Sequence, residues 1–182
     1  MKADVGVVGG GGSGLAAAVG AASAGARVVL LEKNNNLGGT TARSIGSITA
    51  TQTRYQAREG ISDSPAEHYR DMELFTKDFP RPDNDVLRRV LTENVPETVR
   101  WLGAMGVEFL GPLEEPPHQK RRMHNVLPNS RAYIFHLERE ARRRGVEIIT
   151  SARAKRLLHT DGRVTAVEFE QPGKQVQTVH AR

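Results

Sequence analysis

No cysteine occurs among the 182 residues. Disulfides, thiolate nucleophiles, zinc–thiolate clusters and iron–sulfur ligation are thereby excluded. Aromatic residues are scarce, at 5%. None is interleaved with the basic runs Lys120-Arg121-Arg122 and Arg142-Arg143-Arg144, so the net charge of +5 lacks the stacking partners that single-stranded nucleic acid binding uses. Both runs read as solvated surface, the second at the end of a predicted helix, where cations suit the dipole. No apolar run approaches the roughly 18 residues of a membrane-spanning helix. The early apolar stretch is broken by glycines and ends in Glu32 rather than at a small-residue cleavage site. These absences predict a cytoplasmic protein with neither a nucleic acid partner nor a membrane span. With 38% hydrophobic and 26% charged residues, the chain has the balance of a folded domain with a real core.

Glycine, by contrast, is concentrated. In "DVGVVGGGGSGLAAAVGAASAGARVVLLEK", Asp4 to Lys33, the run Val5–Val8 reads as a short buried strand. An alanine-rich helix is predicted over residues 14 to 24, and Ala26 to Leu31 reads as a second buried strand. Gly9, Gly11 and Gly14 match G-x-G-x-x-G, a weak motif alone, but here it leaves a strand, opens a helix and leads to a second strand ending in an acid. Each glycine has a physical task. Gly9 permits the tight turn, Gly11 lets a pyrophosphate approach the backbone, and Gly14 lets the helix pack close to the sheet, with Ala17, Ala18 and Ala21 assisting. The free amides of the first helical turn then bind phosphate. Glu32 lies 18 residues beyond Gly14. A carboxylate there accepts ribose hydroxyls and repels a 2′-phosphate, which argues against NADP.

A dinucleotide site of this kind takes FAD or NAD. The next segment, "NNNLGGTTARSIGSITA", brings a second glycine pair, Gly38-Gly39, and hydroxyls at Thr40, Thr41, Ser44 and Ser47. Such a segment can lie along a pyrophosphate and ribityl chain, which favours FAD. An NAD-binding dehydrogenase domain is the alternative, and a truncated, non-catalytic FAD-binding module or a basic nucleic acid binder is a third reading.

Further along, residues 40 to 60 show no clear period. A helix is predicted from Asp63 to about Lys77, with a break at Pro80-Arg81-Pro82, and another from Asp85 to Ala104, interrupted or kinked at Pro96. Val86, Leu87, Val90, Leu91, Val95, Val99 and Leu102 form its apolar stripe, and a short strand is expected at Val107 to Leu110. Glu114 to Asn125 reads as an exposed loop, with His118 structural or exposed and His124 a solvated loop histidine. Ser130 caps a helix to Arg144 that Gly145 stops. Strands follow at Val146–Ile149, Ala152–Leu158, Arg163–Phe169 and from Gln175, with an Asp161-Gly162 turn.

Asp4 to Ala50, together with Leu137 to Phe169, resembles the FAD-binding segments of the fumarate reductase/succinate dehydrogenase flavoprotein family, which includes 3-ketosteroid dehydrogenases. The resemblance implies an α/β, Rossmann-like FAD-binding domain, a parallel sheet with a β-meander, occupying residues 1–182 and incomplete at its C-terminus. The second FAD segment and the substrate-capping domain are then absent from this chain, so residues 1–182 alone are expected to hold FAD poorly and to turn over no substrate. It implies hydride transfer between flavin and a C=C bond beside a carbonyl or carboxylate, on a substrate such as an unsaturated acid or enone. The remainder of the flavoprotein or an electron donor would be a partner. For the loop before Asn125 the resemblance implies the alternatives, that Lys120 to Arg122 attract an anionic substrate and that His124 is brought towards it. On the same ground Ser13 and Gly14 meet the pyrophosphate, Glu32 the adenosine ribose, Thr40 and Thr41 the flavin side, and Ala154 offers backbone to adenine. Gly12, Lys33, Gly38, Gly39, Ser44 and Gly46 complete the expected contacts. Thr40 stands where succinate dehydrogenases carry a histidine bonded to FAD, so the cofactor is expected to be non-covalent. No catalytic residue and no metal ligand is assigned.

Overall fold

The computed structural model describes residues 1–76 and 83–181. The expected helix end near Lys77 and the break at Pro80-Arg81-Pro82 lie outside the described residues. The chain divides into two compact units, Met1–Ser44 with Arg131–Arg182, and Ile45–Ser130.

In the first unit, β1 (Val5–Val8), β2 (Val28–Leu31) and β6 (Glu147–Ile149) form a parallel sheet in the order β1-β2-β6. All four residues of β2 are buried. A strand covered on both faces needs apolar side chains at every position, and VVLL supplies them. Val29 and Leu31 face one core, shared with Ala152, Val167, Phe169 and Val179. Those partners come from an antiparallel meander, β7 (Arg153–Thr160), β8 (Arg163–Glu170) and β9 (Gln177–His180). Alternation turns Val28 and Leu30 the other way, and α1 (Gly12–Ser23) packs against both β2 and α5 (Arg131–Arg143). α1 buries Leu15, Ala18 and Val19, whereas Ala17 is exposed. Of the three alanines expected to pack closely, Ala18 is therefore the one fully covered.

The second unit holds an antiparallel sheet of order β3-β5-β4, made of β3 (Ser47–Thr49), β4 (Glu108–Leu113) and β5 (Met123–Leu127). With it come α2 (Arg54–Arg58), α3 (Pro65–Thr76) and α4 (Asp85–Ala104). α4 runs unbroken through the buried Pro96, against the expected interruption; a proline removes one intrahelical donor, and burial of its ring offsets the loss. The predicted stripe divides: Val95, Val99 and Leu102 are buried, but Val86, Leu87, Val90 and Leu91 are exposed. The patternless stretch 40 to 60 contains a 3₁₀ turn (Thr41–Arg43), β3 and α2, elements too short to show a period.

The exposed loop expected at Glu114 to Asn125 is overturned at its C-terminal end. Met123 begins β5, and Arg122 and His124 are fully buried. Arg122, His124 and Val126 alternate inward, the period of a strand with one covered face.

Candidate cofactor site

The glycine loop is the link between β1 and α1. Gly9, with φ of +102°, makes the turn, a conformation that costs any residue with a Cβ. At Gly14 a Cβ would lie 1.9 Å from the Gly9 carbonyl oxygen and 3.5 Å from Val7 Cγ1. Helix and strand thus touch backbone to backbone, and that contact forbids a side chain. Gly11 is different. A Cβ there would meet nothing nearer than the Gly38 oxygen at 3.8 Å. The protein's own packing leaves room for a Cβ at Gly11, so its bareness fits a group that comes from outside.

The second glycine pair is joined directly to the first loop. Gly38 donates its N–H to the Gly10 carbonyl at 2.8 Å, and Gly11 and Gly38 form an isolated parallel bridge. A Cβ on Gly39 would lie 3.4 Å from Gly11 Cα. Thr41 Oγ1 accepts from the Gly12 N–H at 3.2 Å. α1 starts with Gly11 as its N-cap, with no side-chain cap and no acid in its first turn. The Gly12 N–H is taken by Thr41, and the next amides of the first turn, at Ser13 and Gly14, with the positive end of the dipole, are left for an external anion. Ser13 is exposed beside them.

Glu32, 5% exposed, is the acid at the tip of β2. Its Oε2 accepts from the Gly10 N–H at 2.7 Å and its Oε1 from the Asn34 N–H at 2.8 Å. Both oxygens are thus held in place by backbone, and each keeps lone-pair capacity for a hydroxyl. Glu32 backbone is bound on both sides, its N–H to Ile149 and its carbonyl to the Ala152 N–H. Ala154 pairs with Phe169, and the ladder is irregular between Ala154 and Arg156, which leaves local backbone outside the regular pairing. Lys33, Thr40 and Ser44 are exposed; Ser44 Oγ donates to the Thr41 carbonyl at 2.8 Å. Gly9 to Ser44 and Ala154 all belong to the first unit, and Gly46 to the second. There a Cβ on Gly46 would meet Val126 Cγ1 at 2.6 Å.

A polar cluster in the second unit escaped the sequence reading. Arg122 binds Asp63 through Nε at 2.7 Å and a terminal nitrogen at 2.8 Å, and its other terminal nitrogen binds Asp71. Lys120 pairs with Glu67 at 2.7 Å and Arg121 with Glu59 at 2.6 Å. Arg122 is therefore withdrawn from the solvated surface expected for the basic run, while Lys120 and Arg121, 30% and 42% exposed, stay at the surface in ion pairs. Burial pushes the Asp63 carboxyl up, but hydrogen bonds from Arg122 and Gln56 outweigh it and hold it at about 2. Burial, then the Arg122 cation and His118, push His68 down to about 4. Burial also lowers His118 and His124. His124, expected to be solvated, is fully buried and shares a 2.9 Å hydrogen bond with Thr53 Oγ1. The strand-period alternation of Arg122, His124 and Val126 was the available signal.

Comparison with known proteins places this geometry. The FAD binding domain family matches residues 4–182. An NADH:fumarate oxidoreductase of Klebsiella pneumoniae is 30% identical over 149 residues, which is 80% of this chain and 16% of that protein. Among solved structures, a 3-ketosteroid-Δ4-(5α)-dehydrogenase of Rhodococcus jostii in complex with 4-androstene-3,17-dione superimposes with a TM-score of 0.85 at 27% identity, over all of this chain and 44% of its own. The open conformation of a flavocytochrome c3 fumarate reductase gives 0.90 at 23% identity, over all of this chain and 32% of its own; it shares the fold. The chain thus spans less than half the length of these relatives.

Proposed function

Because this chain belongs to the FAD binding domain family, and the family relationship extends to fumarate reductases, we propose that it holds FAD without a covalent bond and serves hydride exchange with a C=C bond beside a carbonyl or carboxylate. When bound, FAD supplies the redox chemistry, and the protein supplies binding, orientation and electrostatics. Gly11 carries the proposal: it is bare where the chain itself has room for a side chain. Gly11, Ser13 and Gly14 offer backbone amides to the pyrophosphate at the start of α1, and Gly12, whose own N–H is held by Thr41, lets it approach without a side chain. Glu32, fixed by the Gly10 and Asn34 amides, accepts the ribose hydroxyls. Gly38, Gly39, Thr40, Thr41 and Ser44 serve the flavin side, and Lys33 and Ala154 the adenosine side. Thr40 presents only a neutral alcohol, a far weaker nucleophile than the histidine that succinate dehydrogenases carry there. No side chain of this chain is assigned as the proton donor.

The test is to reduce under argon the FAD-loaded flavoprotein that joins these residues to a second FAD segment and substrate-capping domain, and to mix it with fumarate or with cyclohex-2-enone; residues 1–182 alone should turn over neither. Return of the oxidised flavin band with one of them is expected. Reoxidation by oxygen but by neither alkene would overturn the C=C assignment, and a colourless protein that takes up NAD would overturn the flavin itself. Acid precipitation should release the flavin into the supernatant; yellow colour retained in the pellet would contradict non-covalent binding.

A further inference from the structure

A cavity of about 460 Å³, within the size range of small-molecule sites, is lined entirely by residues of the second unit. Its apolar wall includes Met72, Phe75 and Leu91. Phe75 and Leu91 are 39% and 46% exposed, apolar area that an occupant would remove from water.

The charge of this lining runs against that of the chain. The sequence carries 26 Lys and Arg against 21 Asp and Glu. Among the described lining residues there are carboxylates, Asp83 and Glu115, but neither a Lys nor an Arg. Burial and the Arg122 cation lower His68 and His118, so both line the cavity as neutral rings near pH 7. Asp83 is matched from behind by Arg88 Nε at 2.7 Å. Glu115 is not matched. Its Oε2 accepts from Thr49 Oγ1 at 2.7 Å, which fixes the carboxylate without neutralising it. The uncharged His118 Nε2 stands 3.9 Å away, and no Lys or Arg pairs with Glu115 among the described residues. The Glu115 side chain is 34% exposed, open to an occupant of the cavity. An anion would meet repulsion there. A metal ion would find one carboxylate beside carbon, too few oxygen ligands to hold it, and no metal-holding group of side chains occurs among the described residues. An ammonium group fits, because a charge-assisted hydrogen bond to a carboxylate is roughly twice as strong as a neutral one.

We propose that this cavity binds an organic cation, an apolar body bearing one ammonium group, with the ammonium on Glu115 and the body against Met72, Phe75 and Leu91. The proposal does not rest on the FAD reading.

Three probes of similar shape and different charge test it on the 182-residue chain labelled at the methionine methyls: 2-naphthylmethylammonium, 2-naphthylmethanol and 2-naphthoate. Saturable movement of the Met72 methyl resonance, assigned with Met72→Leu, is expected with the ammonium probe. Its binding should be tighter than that of either other probe by about tenfold or more. Equal binding of all three, preference for the alcohol or the naphthoate, or no movement at Met72 would overturn the site. Glu115→Gln keeps the shape and removes the charge; it should weaken the ammonium probe about tenfold and leave the alcohol unchanged. Leu91→Trp, which narrows the wall and keeps Glu115, should weaken both. Undiminished binding of the ammonium probe in either folded variant would place the ligand elsewhere and sink the proposal.

Discussion

Gly11 and Gly14 stand three residues apart and are glycine for opposite reasons. A side chain at Gly14 strikes the Gly9 carbonyl at 1.9 Å, and one at Gly11 strikes nothing within 3.8 Å. Gly14→Ala should therefore destabilise the fold by about 3 kcal/mol, as overpacking does, whereas Gly11→Val should leave the thermal midpoint within a few degrees of the parent. Calorimetry of the two proteins separates the roles, and a Gly11→Val protein that fails to fold would show that the chain itself requires the bare backbone. Glu32 is a third case. Its carboxylate bridges two backbone amides, so Glu32→Ala should cost about 2 kcal/mol in the absence of any cofactor. An unchanged midpoint would mean that water replaces both bonds at no cost. Gly9 and Gly14 were legible because each meets a local backbone demand, the turn and the close contact. That Glu32 also holds the loop was not, because its partners Gly10 and Asn34 meet only after β1 and β2 pair.

Among the elements, β2 and the meander were readable for a simple reason. A fully buried strand shows an unbroken apolar run, and the Asp161-Gly162 turn brings two half-buried strands together, with both residues at positive φ. β5 was hidden because two of its inward neighbours are Arg122 and His124, polar residues whose burial is tolerated only with partners on distant elements. The Arg122 cluster gives a sharp expectation. Arg122→Met removes the cation and leaves Asp63 and Asp71 buried without it, at a cost of about 3–5 kcal/mol. Replacing all three by apolar residues should restore much of that. Denaturant melts of the single and triple variants check it, and a single variant as stable as the parent would mean that the cluster is already hydrated. The exposed half of α4 bears the opposite expectation: Leu87→Lys, at a side chain 64% exposed, should shift stability by no more than about 0.5 kcal/mol.

At the scale of the molecule, acid should weaken the fold in two stages. A group whose folded pKa lies below its unfolded value binds fewer protons when folded, so its stabilisation is present at high pH and lost as pH falls. For His68, acted on by Arg122, His118, Asp63 and Asp71, the loss begins near 6.5 and runs to about 4. For Asp63 it begins near 3.8 and runs to about 2. The thermal midpoint should be flat above pH 6.5 and then fall, and His68→Gln should shrink the first stage, to which the lowered His118 and His124 also contribute, while leaving the second. A midpoint unchanged between pH 7 and pH 4 would contradict the buried neutral histidine.

The flavin reading rests on a backbone cradle that the chain itself does not fill. Its most direct measurement is equilibrium titration of the flavin-free protein with FAD, beside a folded Gly11→Val protein. The expected result is one saturable FAD per chain in the parent and none in the variant at the same concentrations. FAD bound equally by both, or by neither, would contradict it.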